Sequence, residues 1–178
     1  MQRILTVTLG LFLIFAGIQA AEEQRDHHPQ PPADPRFEFL KSLEGTWTGP
    51  PLSEGMPGGV FEFRVTAGGH AVEEREMIGT PMEMLTVYHM EGDDLMATHY
   101  CMLGNQPRAK AAREVVDDGL GFGCDGRPGN SASHEDKHVH GWSMQLDDQG
   151  RLHYTAEILE RDEVAEAPSF ILTRRSAS

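Results

Sequence analysis

Apolar and polar positions alternate one by one along most of the chain beyond Gly45. In Val60 to Thr66, VFEFRVT, residues Phe61, Phe63 and Val65 fall on one face and Glu62 and Arg64 on the other, the period of a half-buried strand. The stretch from Glu83 to Pro107 spells a hairpin: Met84 to Met90 and Leu95 to Leu103 mix β-branched, aromatic and Met residues, and Glu91-Gly92-Asp93-Asp94 reverses the chain between them. His70 to Ile78 is charged enough to favour a helix by propensity. The Gly pair before it and Gly79-Thr80-Pro81 after it leave only a strand's length. Arg108 to Val116 and Gly119 to Cys124 pair around Asp117-Asp118-Gly119. A Gly/Ser/Asn/Pro loop over 125–136 leads to Lys137 to Leu146 and Arg151 to Glu160, then an acidic loop runs to Pro168 and Ser169 to Arg174 follows. With Thr46 to Gly49 the pattern predicts ten strands, preceded by one short helix that Asp34 caps, Pro35 opens and Gly45 ends. Many short strands with no helices between them predict an all-β, closed antiparallel meander barrel, because closure removes the exposed edges. Such a barrel either fills its interior or keeps room for one small ligand.

The start of the chain does not follow this period. Arg3 precedes an apolar run, Ile4 to Ile18, that ends in Ala20 and Ala21, the layout of a secretory signal peptide over residues 1–20 and too short for a comfortable membrane span. Residues 21–35, including His27 and His28, are polar and Pro-rich and read as a flexible leader. The barrel domain is therefore expected over 36–175, exported to the periplasm or beyond the cell, with no membrane insertion of the mature domain. At 178 residues the chain has room for one domain with a core. Its formal charge of −13 speaks against a nucleic-acid partner, whose phosphates require a basic face. Cys101 and Cys124 are its only cysteines. One strand is expected between them, which places their Cα atoms about 9 to 10 Å apart, beyond disulfide reach.

The segment Leu43-Glu44-Gly45-Thr46-Trp47-Thr48-Gly49, a short helix followed by a G-x-W strand, looks like the opening of the calycin superfamily of lipocalins and fatty-acid-binding proteins. Its Gly-Thr-Trp version ahead of ten strands is similar to the nitrobindin-like barrels and to bacterial lipocalin-like families without an assigned function. His99 to Pro107, HYCMLGNQP, and His138 to His140, HVH, resemble signature stretches of such a bacterial family. The resemblance spans roughly Phe37 to Arg174 and implies a ten-stranded barrel with Trp47 closing one end and Arg174 or Arg175 stacking nearby. It implies no activity. The nitrobindin analogy would imply a b-type haem on a single His, but here Pro50-Pro51 replaces the Gly-rich continuation and the final strand carries no His.

The candidate chemistry lies on the middle strands. Read at period two, His138, His140, Trp142, Met144 and Leu146 share a face, and because that face is apolar it is predicted to point inward. His99, Tyr100 and Tyr154 join His138, His140 and Trp142 as the expected ligand-binding residues, and Met77, Met82, Met84, Met90, Met96 and Met102 offer either core filler or an adaptable apolar lining. The same histidines have two other readings. With Tyr154 and Thr86 they can form a satisfied internal polar network. Alternatively His138 and His140 hold Zn²⁺, with His99, Glu74 or Glu76 as third donor, or one His holds haem. Cys101 with His99 has the spacing of a nucleophile and base, but nothing else in the sequence supplies an oxyanion hole. The chain is thus expected to be a non-enzymatic exported barrel that needs no cofactor and holds a small apolar or aromatic molecule. A metal- or haem-binding barrel and a ligand-free structural barrel of the cell envelope are the alternatives.

Overall fold

The computed structural model of the protein describes residues 33–51, 55, 58–115, 119–125 and 136–176. The expected signal peptide, most of the leader, Asp117-Asp118 and most of the 125–136 loop lie outside the described residues. Helix α1 spans Pro35–Ser42. Asp34 caps it, accepting the Arg36 backbone N–H on its side chain. Eleven strands follow: β1 Gly45–Pro51, β2 Gly58–Thr66, β3 Ala71–Glu76, β4 Met84–Glu91, β5 Asp94–Tyr100, β6 Arg108–Ala111, β7 Gly119–Cys124, β8 His138–Leu146, β9 Leu152–Glu160, β10 Glu163–Glu166 and β11 Ser169–Arg174.

All strand pairs are antiparallel. Sequential neighbours pair from β1 to β9, and β11 closes the ring between β9 and β1. The result is the expected closed barrel of ten strands, consistent with a calycin-like fold. The departure is β10, which lies within the predicted acidic loop. It folds back on the end of β9 with Glu163 opposite Glu160, through the two residues Arg161 and Asp162, both at positive φ. That is the backbone of a tight primed hairpin turn, written without the glycine that usually announces it.

Alternation places Phe61, Phe63, Val72, Tyr88, Leu95, Ala97, Leu120, Phe122, Trp142, Met144, Leu152 and Leu172 in one core. The helix plugs one end of the barrel with Phe37, Leu40 and Leu43, all fully buried. Arg36 locks it there, paired with Asp34 at 2.7 Å and donating to the Asp93 carbonyl in the β4–β5 turn. Beneath the helix, the Trp47 indole N–H donates to the Leu43 carbonyl at 2.8 Å and the Arg174 guanidinium stacks over the ring at 4.3 Å. Arg174 also donates to the Ser42 and Glu44 carbonyls, satisfying the end of the helix. Of the two arginines that the resemblance offered, Arg174 is the one that stacks. Cys101 and Cys124 are not joined, and β6 runs between their strands.

Arg174 thus fastens the helix to the barrel. Arg174→Ala should cost about 1–2 kcal/mol, from a cation–π contact and hydrogen bonds at a half-open site. Arg174→Lys should recover little of it, because an ammonium can neither stack nor reach both carbonyls. The midpoint of urea unfolding measures both.

Candidate functional site

Strand β3 carries its charges on both faces. Glu73 and Arg75 face outward in ion pairs with Arg64, Glu62 and Glu83, where solvent leaves such pairs little energetic weight. Val72, Glu74 and Glu76 face inward and are buried. Register then sets the chemistry. Glu74 lies opposite Thr86 on β4, and Thr86 lies opposite His99 on β5, so the three polar side chains form a row across neighbouring strands inside the barrel.

The row is tied into two linked hydrogen-bond systems. The Tyr88 hydroxyl donates to Glu74 Oε2 and accepts from the Trp142 indole N–H at 3.0 Å. Thr86 Oγ1 lies 3.2 Å from Glu76 Oε1 and 2.8 Å from His99 Nδ1. A carboxylate can only accept, so the Thr86 hydroxyl gives its proton to Glu76 and takes the N–H of His99 Nδ1. Glu76 Oε1 is itself 3.4 Å from that nitrogen. His99 Nε2 is buried and has no hydrogen-bond partner among the described residues.

Burial and charge set the protonation states. Burial disfavours a charged His99 ring, but the neighbouring Cys101 and Glu76 side chains, together with the Glu76 charge, outweigh it and hold the imidazole pKa at about 10. Burial pushes the Glu74 carboxyl well above the usual carboxylate range, the Glu76 charge adds to the rise, and the Tyr88 hydrogen bond partly opposes it. Tyr88 and Tyr154 are raised chiefly by burial, then by the Glu74 charge. At neutral pH the floor of the barrel therefore holds a His99 imidazolium and two neutral phenols, beside a Glu74 carboxyl whose pKa burial has raised.

Above this floor the barrel is hollow. A cavity of about 460 Å³ is lined by Phe61, Met77, Met84, Val139, Ile158 and Phe170 among other apolar groups, with Glu76, His99 and Tyr154 as its deep polar members. Its mouth lies at the end opposite the helix, between the turns after β3 and β5 and the β10 segment. Lys137 and Glu166 pair there, and Met102 and Leu103 are exposed. Met77, at the end of β3, holds a left-handed backbone with φ of 54° while its side chain lines the cavity, a local strain of the kind concentrated at binding sites.

The expected site residues separate into two places and a surface position. His99 and Tyr154 line the cavity, and Trp142 sits behind His99 with ring centroids 6.1 Å apart. Tyr100 is 48% exposed, because it follows His99 on a strand and so takes the opposite face. His138 and His140 do not line the cavity. A register shift between Val139 and Gly141 inserts a bulge at His140, so Val139 is the β8 residue that enters the cavity lining there. His138 is nonetheless fully buried and His140 half-buried. His99 is engaged with Thr86 and Glu76, whereas Cys124, His138 and His140 bring their ligand atoms within 4.8 Å of one another. The polar network expected around His99, Thr86 and Tyr154 forms without His138 and His140, and its anchors are Glu74 and Glu76. The signal for them was the inward phase of Val72, Glu74 and Glu76 on β3. No family model and no curated protein matches the chain.

The pH dependence follows by sign. A histidine whose folded pKa is raised contributes stability that is complete below its unfolded value, near 6.5, and is lost as pH rises through about 10. A raised Glu74 pulls the same way, its contribution greatest below the ordinary carboxyl range and declining above it. Ring ¹⁵N spectra should therefore show both His99 nitrogens protonated from about pH 6 to pH 8. In Glu76→Gln the ring should titrate at a lower pH than in the native protein, and the loss of stability between neutral and alkaline pH should become shallower.

Proposed function

We propose that this protein is an exported, non-enzymatic binding barrel. It holds a small, mostly apolar or aromatic molecule that carries a hydrogen-bond acceptor, such as a carboxylate or carbonyl, at its buried end. The observation that carries this reading is His99 Nε2, a buried ring nitrogen with no partner among the described residues, on a residue that lines a mostly apolar cavity of about 460 Å³. In the imidazolium form that nitrogen is a charged donor, and leaving it unmet in a low-dielectric interior is costly. A ligand acceptor placed against it answers that cost. The volume lies in the range of small-molecule sites, and a few convergent polar groups at the base of an apolar pocket are the usual means of fixing a ligand's orientation.

The lining supports a ligand of variable shape. Met77, Met82, Met84 and Met102 surround the space, and their unbranched thioethers repack at low cost. Glu76 adds selectivity: it holds His99 in its charged form and disfavours a second anion placed beside it. The single acceptor position is then at Nε2. The secretory layout of residues 1–20 supports an extracytoplasmic setting. The likeness to lipocalins and fatty-acid-binding proteins at Gly45-Thr46-Trp47 supports the same ligand class.

Two variants test this against a panel of straight-chain and aromatic carboxylic acids and their matched hydrocarbons, read by displacement of an apolar fluorescent probe. His99→Asn keeps a donor near the Nδ1 position for Thr86 and removes Nε2. It should weaken the acids about 10- to 100-fold, the worth of one charge-assisted hydrogen bond, and leave the hydrocarbons nearly unchanged. Ala156→Trp fills the cavity and should abolish both. An unliganded barrel, the competing account, would bind neither class before mutation.

A further inference from the structure

We propose that Cys124, His138 and His140 form a second site, a binding site for a divalent metal ion at the bulged start of β8. It is built from residues that the interior cavity does not use. His138 is fully buried. Its Nδ1 lies 2.8 Å from the Asp136 backbone carbonyl oxygen. A carbonyl can only accept, so Nδ1 carries the proton, and in the neutral ring the lone pair sits on Nε2. That is the tautomer and the backbone tether by which proteins usually orient a metal-binding histidine.

The Nε2 lone pair faces a second nitrogen. His138 Nε2 and His140 Nδ1 are 3.4 Å apart. Two imidazole nitrogens on a tetrahedral Zn²⁺ stand about 3.3–3.4 Å apart when each bond is about 2.0–2.1 Å, so the pair already has the bite of a chelate. The third donor is the Cys124 sulfur on the neighbouring strand β7, and one ligand atom from each of the three residues lies within 4.8 Å of the others. A thiolate–imidazole edge on the same ion is about 3.6 Å, so closure asks for about an ångström of movement. Cys124 and His140 are both only half-buried and have the room for it. Two histidines two positions apart on β8 converge there with a cysteine from the next strand, beside the bulge that puts an extra residue into β8.

The donor set fixes the class of ion. One thiolate and two imidazoles suit Zn²⁺ and its spectroscopic substitute Co²⁺, and they leave a fourth position for water or another donor. His140 also borders a shallow surface groove of about 280 Å³ that runs over Gly123 and Gly141, a path for the ion from solvent.

Cobalt titration of the reduced full-length protein tests the assignment, because a thiolate-to-cobalt charge-transfer band in the near ultraviolet reports sulfur ligation directly. One equivalent of Co²⁺ should give that band together with tetrahedral d–d bands, and Zn²⁺ should remove both. Cys124→Ser should abolish the charge-transfer band, and His140→Ala should weaken binding about tenfold or more. Near-ultraviolet circular dichroism checks that each variant remains folded. Cys101→Ser and the double change His27→Ala, His28→Ala should leave the spectrum intact. The assignment is overturned if the native protein gives no band, if the band survives Cys124→Ser, or if it is lost in Cys101→Ser or in the His27/His28 variant. In each of those outcomes the contact between His138 and His140 is only a hydrogen bond.

Discussion

Glu74 and Glu76 point from one strand into the interior of a closed barrel, and a carboxyl group taken out of water without partners costs several kcal/mol. Much of the inner face is arranged around that constraint. Tyr88 and Trp142 approach Glu74 from β4 and β8, and Thr86 and His99 approach Glu76 from β4 and β5. Burial, and then the neighbouring Glu76, raise the pKa of Glu74, while His99 is held protonated beside Glu76. A barrel that needed only stability would do as well or better with apolar side chains at these positions. The network leaves two buried polar atoms unmet, Glu74 Oε1 and His99 Nε2, and of their two residues it is His99 that lines the cavity.

The two ends of the barrel divide the work. At one end α1, Trp47 and Arg174 close the core with dense packing and satisfied carbonyls. At the other, the turns after β3 and β5 and the β10 hairpin stand apart and leave the cavity open above the polar floor. The strained backbone at Met77 and the exposed Met102 and Leu103 belong to that open end. Rigidity therefore sits where the polar groups must be held, and adaptable side chains sit where a ligand would enter.

Much of this was legible in the sequence, because a half-buried strand writes its period plainly. Phe61, Phe63 and Val65 read correctly, and so did the hairpin around Gly92, whose positive φ the turn requires. Two features escaped for physical reasons. β10 is exposed along its whole length, so Glu163 to Glu166 has no buried face to impose a pattern, and its turn is made by Arg161 and Asp162 rather than by an Asn-Gly pair. The bulge at His140 escaped because period-two reasoning runs straight through one. Gly141 was the available hint: a glycine inside a strand often marks one, and a Cβ there would stand 2.6 Å from the Phe122 carbonyl oxygen. Glu74 and Glu76 fell on the inner face by simple alternation. Their charge hid how central they are, since a run of Glu and Arg ordinarily describes a solvated surface.

The central claim is that the barrel is hollow because a ligand's acceptor completes the His99 ring. The most direct test is a high-resolution crystal structure of the protein purified from its own cells without refolding. The account expects continuous electron density above the polar floor, apolar along the Met-lined walls, with an oxygen within hydrogen-bonding distance of His99 Nε2. A cavity closed by side chains from Met77, Met82 and Met84, with Nε2 hydrogen-bonded to a protein group, would contradict it.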